Sequence, residues 1–522
     1  MMLYKKKCRN NRGNYRCLGL LNHSYKIFAM VLLMRIMPFI TPRLSDMQAG
    51  FRKGRGCRDN IHILVTTIQH LLHSAEVEAQ SRRIITYIDF TAAFDSILHS
   101  YLLNALVQYE VPLKYCRLIK SIYDSAKVRV RLQEPGGSKS YSRNIAIKRG
   151  VIQGDIPSPI CFLVALDKLL KEHGSLQQGV KLTDTLLLTD LEYADDAAFP
   201  DENTDLATNR LTTLNEKANK EAGMDISISK TKVQHICRRP VVSCTTESDI
   251  ANLPPEKQFK FRCEECDMTY PTKHGLSVHK GRWCKKRKTA KKPSRKGTVA
   301  DRIIQRMKVE DHQTTLDKVK IGTVELENVY TFTYLGAKIA GDGDSEISVK
   351  HRLDIAWGSF SEYRKTLMAA KLPIEMRIRL YQSLVVSTMI YSAETWLFTR
   401  KIQQKVNGVN SKMLSLITRR TIHQEARSPT FDVVAYIMER RWEYLGHILR
   451  MDPNRALHRF LIELSPAEAP YTEGSLLSDF QFQAMDEMIA AASDRGEWKQ
   501  LGKRRRRKSG SWRASLGTAA TR

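Results

Sequence analysis

An α+β fold is predicted by three observations. Ile84-Ile85-Thr86-Tyr87-Ile88 is a β-branched and aromatic run, the pattern of a buried strand. A second strand-like run, Leu186 to Tyr193, leads into Ala194-Asp195-Asp196-Ala197-Ala198-Phe199, an apolar hairpin interrupted by two adjacent acids. From Arg352 to Leu464 the apolar residues recur at helical spacing instead, for example over Met376 to Phe398 and Met438 to Met451. Strands in the first half and helices in the second point to a sheet-bearing unit followed by a helical one.

The chain has 522 residues, with 84 Lys plus Arg against 55 Asp plus Glu and a formal net charge of +29. That length suggests about three or four compact units. With 42% hydrophobic residues there is enough to bury real cores, which argues against wholesale disorder. The basic excess suits a polyanion, nucleic acid before acidic membrane. The most apolar stretch, Ile27 to Met34, is far shorter than the ~20 residues that cross a bilayer and runs into Arg35, so neither a span nor a membrane partner is expected. Met1 to Lys7 has no apolar core behind its lysines, so a secretory signal is not expected and the protein reads as intracellular, nuclear or cytoplasmic. Most of the ten cysteines stand singly, which fits a reducing compartment.

Ser24 to Ile40 reads as a helix stopped by Pro38 and the Thr41-Pro42 pair. A glycine-bearing loop, Gln48 to Gly56, separates it from a second helix over Asp59 to Ser81. The strand Arg83 to Phe90 ends on Asp89, and helical patterning returns after Ile97. Val128 to Leu132 alternates, turns at Pro135-Gly136-Gly137 and returns through Ile145-Ala146-Ile147 as a hairpin. Between Val233 and Val319 the chain turns polar and basic, an insertion or linker that holds Cys263, Cys266, His279 and Cys284. The last sixty or so residues lose periodicity and end in Lys503 to Lys508, the pattern of a disordered tail.

Asp89 at one strand end and Asp195-Asp196 in a hairpin turn would gather three carboxylates, a charge density that requires a cation. Hard oxygen ligands partly open to solvent favour Mg²⁺ and the phosphoryl-transfer chemistry of a two-metal site. Taken alone, Asp-Asp is equally a good turn pair on a solvated hairpin.

The surrounding motifs decide between these. Tyr193-Ala194-Asp195-Asp196 resembles the catalytic box of reverse transcriptases, and Tyr87-Ile88-Asp89-Phe90-Thr91-Ala92-Ala93-Phe94-Asp95 resembles their first aspartate box. Gly150-Val151-Ile152-Gln153-Gly154-Asp155 is similar to the intervening box, Gly223 to Lys232 to the next one, and Phe332-Thr333-Tyr334-Leu335-Gly336 to the primer grip. Asn14 to Leu21 and Gln48 to Arg55 resemble fingers boxes of non-LTR (LINE-type) retrotransposons, and Tyr391 to Trp396 and Arg440 to His447 resemble later segments of that group.

This resemblance, over about Tyr15 to Met451, implies a right-hand polymerase with an antiparallel palm sheet and a helical thumb. It divides the chain into partial fingers (1–86), palm with finger elements (87–236), a basic insertion (237–318), the end of the palm with the primer grip (319–345), helical thumb and connection (346–464) and a basic tail (465–522). The implied activity is RNA-directed DNA polymerisation on an RNA template and DNA primer with deoxynucleoside triphosphates. Asp89, Asp195 and Asp196 would hold two Mg²⁺ ions. Phe94 would be the steric gate against a ribose 2′-hydroxyl, although an aromatic there also suits a core. Gln153 and Gly154 would face the nascent base pair. Arg16 would grip the triphosphate unless it is a surface arginine. Lys230 would protonate the leaving pyrophosphate, with Lys232 close enough to compete.

Cys263, Cys266, His279 and Cys284 form Cys-x₂-Cys-x₁₂-His-x₄-Cys, with Phe261, Tyr270 and Leu276 where a ββα zinc finger, which this resembles, needs its small core. Four such ligands predict a closed structural Zn²⁺ site, within 261–284 of the insertion. Thr272, Gly275 and Val278 fall at the positions that read bases in that family, and none makes a bidentate base contact. The basic run from Lys285 to Lys292 therefore suits phosphates without sequence choice, or else a solvated linker. No nuclease segment accompanies the polymerase boxes, so the sequence also fits a truncated copy. The competing function is accordingly a catalytically silent nucleic-acid-binding relic. Protein partners are not legible in the sequence.

Overall fold

Strand β1 (Ile84–Ile88) is buried along its whole length because both faces of its sheet are covered. In this computed structural model the described residues are 2–4, 15–73, 83–133, 139–173, 178–237, 261–262, 269–270, 317–427, 429–464, 474–480 and 485–508. They fall into two units, Met1–Arg238 with Asp317–Arg522, and Arg239–Leu316.

In the first unit, β1 lies at the centre of a five-stranded sheet with β2 (Leu191–Tyr193), β3 (Asp196–Asp201), β4 (Lys232–His235) and β5 (Glu327–Asn328), in the order β2-β3-β1-β4-β5. The first three pairings are antiparallel, as expected, with Ala197 opposite Ile88 and Lys232 opposite Tyr87. The fifth strand departs from the expectation, since β5 runs parallel to β4. A parallel neighbour needs a long connection rather than a tight turn, and here the second unit supplies it.

Side chains alternate along β1 between two cores. Ile84 and Ile88 join one formed with helices that include α3 and α4 below, and Ile85 and Tyr87 join the other, formed largely by the C-terminal helices. Each fully buried aliphatic side chain contributes about 1.5–3 kcal/mol. Helix α1 (His23–Ile40) and helix α2 (Cys57–His73) precede the sheet in sequence; α3 (Ser158–His173) and α4 (Thr204–Lys217) pack on its first face. The C-terminal layer contains α5 (Ser345–Leu367), α6 (Arg400–Thr418) and α7 (Val433–Leu449). Each of these three starts at a side-chain cap, Asp344, Thr399 and Asp432, whose oxygens accept the otherwise unpaired first-turn amides. The strands of the expected hairpin are present as Lys127–Val128 with Ile145–Ala146 and Arg131–Gln133 with Lys139–Tyr141, and its turn at Pro135-Gly136-Gly137 lies outside the described residues.

Two expectations are corrected. Helix α1 runs on through Arg35, with Pro38 inside its last turn, and is long and apolar enough, by length and composition alone, to cross a membrane. One face of it, Ala29, Leu32, Ile36 and Ile40, is buried in the protein. The tail is not wholly irregular either: Met485–Ser493 and α8 (Arg495–Lys508) are helical, and α8 includes the basic run. The reason is a tryptophan pair. Trp498 stacks on Trp442 with ring centroids 3.9 Å apart, and each indole N–H donates to the other's backbone carbonyl at 3.1 and 3.0 Å. Gly446 and Gly502 make room, since a Cβ on either would lie within 2.6 Å of an indole nitrogen.

In the second unit, Phe261–Arg262 pairs antiparallel with Thr269–Tyr270, bracketing Cys263 and Cys266 in sequence. Those cysteines, with His279, Cys284 and the basic run after them, lie outside the described residues.

Candidate active site

The sheet register brings the acids together. Ala197 pairs with Ile88, so one step further along the same ladder Asp196 falls opposite Asp89. Tyr193 pairs with Asp196 across the two-residue turn Ala194-Asp195, which needs a left-handed residue and has Ala194 at φ +55°. Asp89, Asp195 and Asp196 thus share one end of the sheet. Asp196 is an exposed residue, yet desolvation of its carboxyl against the turn, and then the charges of Asp195 and Asp89, push it up to about 6, with Lys230 opposing.

Lys230 donates from Nζ to Asp89 Oδ1 at 2.8 Å. The loop that carries it is tied to the same residue, with Ser227 N donating to Asp89 O at 2.7 Å and Lys230 N to Ser227 O at 3.1 Å. Lys232, the competing lysine, is occupied by Ser229 O and Glu327 Oε2, both at 2.7 Å. The geometry therefore sets Lys230, the lysine chosen from sequence, against Asp89 and turns its competitor Lys232 to other partners.

Phe94 stacks on Phe162 at 4.1 Å and meets the edge of Phe51 at 6.5 Å, so its ring is braced on two sides. The loop carrying Gln153 and Gly154 is held against this segment: Val151 N donates to Phe94 O at 2.7 Å and Gln153 Nε2 to Asp95 Oδ1 at 3.4 Å. Gly150 has φ +77°, and a Cβ there would lie 2.6 Å from Asp95 Cα. Gly19 N donates to Gln153 O at 2.7 Å, bringing the N-terminal segment alongside. Arg16 lies on the strand Tyr15–Cys17, opposite Leu3.

The expected primer-grip segment is the hairpin Thr331–Tyr334 with Ala337–Ala340. Its Leu335-Gly336 turn is clamped from the helical layer by residues not assigned from sequence. Tyr391 Oη donates to Leu335 O at 2.8 Å, Arg352 donates to Gly336 O, and the Arg352 guanidinium lies 4.2 Å from the Tyr391 ring centroid. Gln48 and Glu192 are likewise buried beside the acid turn. The available signal was a glutamate inside an otherwise apolar strand run.

Three carboxylates gathered at one end of a sheet are the donor set of a metal-dependent phosphoryl-transfer site. The chain matches the family described as reverse transcriptase (RNA-dependent DNA polymerase) over residues 4–339 and belongs to it; its members are nucleotidyltransferases. The domain is of the non-LTR retrotransposon type. The R2 retrotransposable-element polyprotein of Popillia japonica is 27% identical over 207 residues, covering 39% of this chain and 27% of that protein. The transposon TX1 149 kDa protein of Xenopus laevis is 28% identical over 157 residues, covering 30% of this chain and 11% of that protein. The chain therefore spans about a quarter or less of the length of these relatives. A Candida albicans telomerase structure aligns over 77% of this chain and 58% of its own at 9% identity, with a TM-score of 0.36, too low to add to the assignment. Reverse transcriptases use a divalent metal, typically Mg²⁺. The donor set fits one, being all hard oxygens with Lys230 as the nearby protein cation opposing Asp196.

Proposed function

We propose that this chain is the RNA-directed DNA polymerase of a retrotransposon, adding deoxynucleotides to a primer 3′-hydroxyl on an RNA template. The observation that carries the reading is the register that sets Asp196 opposite Asp89 with Asp195 in the adjoining turn. In this reading the five-stranded sheet is the palm, the segments before it are fingers and the C-terminal helices are the thumb.

Asp89, Asp195 and Asp196 would hold two Mg²⁺ ions, which when bound lower the pKa of the primer hydroxyl and balance charge on the leaving pyrophosphate. Above pH about 6 the Asp196 carboxyl is ionised and ready to bind. Phe94, backed by Phe162, fills the space a ribose 2′-hydroxyl would need. Gln153 and Gly154 line the nascent base pair, Arg16 grips the triphosphate, and Lys230 gives its proton to the departing pyrophosphate. Cys263, Cys266, His279 and Cys284 would hold a structural Zn²⁺; their spacing and the strand pair bracketing Cys263 and Cys266 in sequence support this.

Primer extension on an RNA template with Mg²⁺ tests the polymerase. Asp195→Asn should lower kcat by about three orders of magnitude with its melting curve kept, the cost of losing a charged metal ligand. Equal activity of the two proteins, or none in a well-folded wild type, overturns the reading. Phe94→Ala should raise ribonucleotide incorporation relative to deoxynucleotide by roughly 10–100-fold. For the zinc site, Cys266→Ser should lose about one zinc per chain by atomic emission.

A further inference from the structure

We propose that Gln48 is a positioning residue for the catalytic turn, fastening the Gly50-Phe51 loop and Ala194 to one another through a single side-chain carbonyl. The proposal rests on the polymerase reading of that turn. Gln48 is fully buried. Its Oε1 accepts from Gly50 N and from Ala194 N, both at 2.9 Å, and its Nε2 donates to Glu192 Oε2 at 2.8 Å. The backbones are joined as well: Ala49 N donates to Glu192 O at 2.9 Å and Glu192 N to Met47 O at 3.2 Å. Asn60 Nδ2 completes the set by donating to Glu192 O at 2.8 Å.

The two loops so joined each contain a residue in the left-handed region, Phe51 at φ +52° and Ala194 at φ +55°. That conformation costs a non-glycine residue about 1–2 kcal/mol and persists only where its surroundings impose it. The approach is close enough to require glycine at position 50, where a Cβ would lie 2.4 Å from Ala194 N. What the fastening holds is functional on both sides. Ala194 precedes Asp195-Asp196, and Phe51, a half-exposed aromatic, sets its edge against Phe94. Gln48 therefore ties the wall of the sugar pocket to the acid turn, so that neither moves alone.

The fastening is compatible with a neutral acid at Glu192, which the surroundings favour although the Gln48 hydrogen bond itself opposes it. Glu192 and Asp190 are both buried, and among the described residues no donor reaches Asp190 Oδ2. Burial, and then the Asp190 charge, push the Glu192 carboxyl well above its ordinary value. A proton on Glu192 gives Asp190 its missing donor and leaves Oε2 free to accept from Gln48. Glutamine at 192 mimics that neutral acid, with an oxygen toward Gln48 and an N–H toward Asp190.

Four variants are compared with wild type, by hydrogen exchange over residues 191–196, calorimetric Mn²⁺ binding and primer extension. Gln48→Leu should speed exchange at Ala194 at least tenfold, weaken Mn²⁺ binding about tenfold, and lower kcat at least tenfold with KM for primer–template unchanged. Gln48→Asn, which keeps a buried amide but is one methylene short, should move the same quantities in the same direction. Glu192→Gln should stay within about twofold of wild type throughout, and Asp195→Asn marks the binding that belongs to the site. Wild-type kcat and Mn²⁺ affinity in both Gln48 variants, or equal changes in kcat and KM tracking a lowered melting temperature, overturn the proposal. So does a Glu192→Gln protein as impaired as Gln48→Leu. A folded wild type that extends no primer, while the Gln48 variants still lose Mn²⁺ affinity and protection, sinks the polymerase reading and leaves the fastening standing.

Discussion

The acids at the end of the sheet and the acids among the C-terminal helices meet opposite fates. Glu394 and Asp479 are buried, and the chain supplies their cations: Arg440 reaches Glu394 at 2.6 Å, Arg58 reaches it at 3.2 Å, and Arg441 pairs with Asp479. Arg441 is itself fully buried and spends its remaining donors on the carbonyls of Ala393, Glu394, Trp396 and Gly474, at 2.8 to 3.2 Å. At the sheet end Lys230, on an exposed side chain, pairs with Asp89 and opposes the upward push on Asp196. Asp479 and Asp196 are both pushed up to about 6, the first by burial despite its arginine, the second by desolvation reinforced by neighbouring acids. Similar acidity therefore conceals different roles. Where each acid has its own arginine it holds the fold together, and where acids crowd about one exposed lysine they form the donor set that fits a metal.

The largest test of that contrast is Arg441→Met. It strands Asp479 and four backbone carbonyls, and should destabilise the protein by about 3–5 kcal/mol, read as a lowered melting temperature, with activity per folded molecule unchanged. A stable variant with altered kcat would place Arg441 on the functional side instead.

A smaller effect of opposite sign is expected at the sheet end. The Asp196 pKa is raised in the folded state from its ordinary value of 3.8 to about 6, so the metal-free fold holds this proton more tightly than the unfolded chain and loses stability as pH rises from about 4 through 6. Asp196→Asn should therefore stabilise the metal-free protein by about 1 kcal/mol at pH 8, after discounting for solvent screening, while abolishing polymerisation. In wild type the same proton competes with the metal. The Mg²⁺ concentration for half-maximal activity should rise up to about tenfold per pH unit below 6, and saturating Mg²⁺ should restore the rate. A flat Mg²⁺ requirement between pH 5 and 8 would separate Asp196 from the metal.

The site was legible in the sequence to the extent that chemistry and backbone pattern coincide. Asp89 ends an apolar strand and Asp195-Asp196 interrupts an apolar hairpin, so each acid announces itself. Lys230 and Lys232 differ by two positions in a polar loop, and only the pairing of β4 with β5, which brings Glu327 to Lys232, distinguishes them. Gln48 was visible as part of a loop, but its three hydrogen bonds run to Gly50 nearby and to residues nearly 150 positions away. The helices at the C-terminus were not legible because what anchors them is tertiary: Trp498 stacks on Trp442, and Met488 and Ala492 enter the same core, far from their partners in sequence.

By itself the sequence determined most of the elements and marked the three acids proposed as metal ligands, because strand patterning, helical periodicity and an acid pair in an apolar run are local properties of a few adjacent residues. The tertiary structure decided which lysine faces Asp89, that the fifth strand runs parallel, that Arg352 and Tyr391 clamp the Leu335-Gly336 turn and that Gln48 fastens the acid turn. Those are pairings between segments far apart in the chain, and hydrogen bonds and charge pairs depend on distances of a few ångströms that no local pattern encodes.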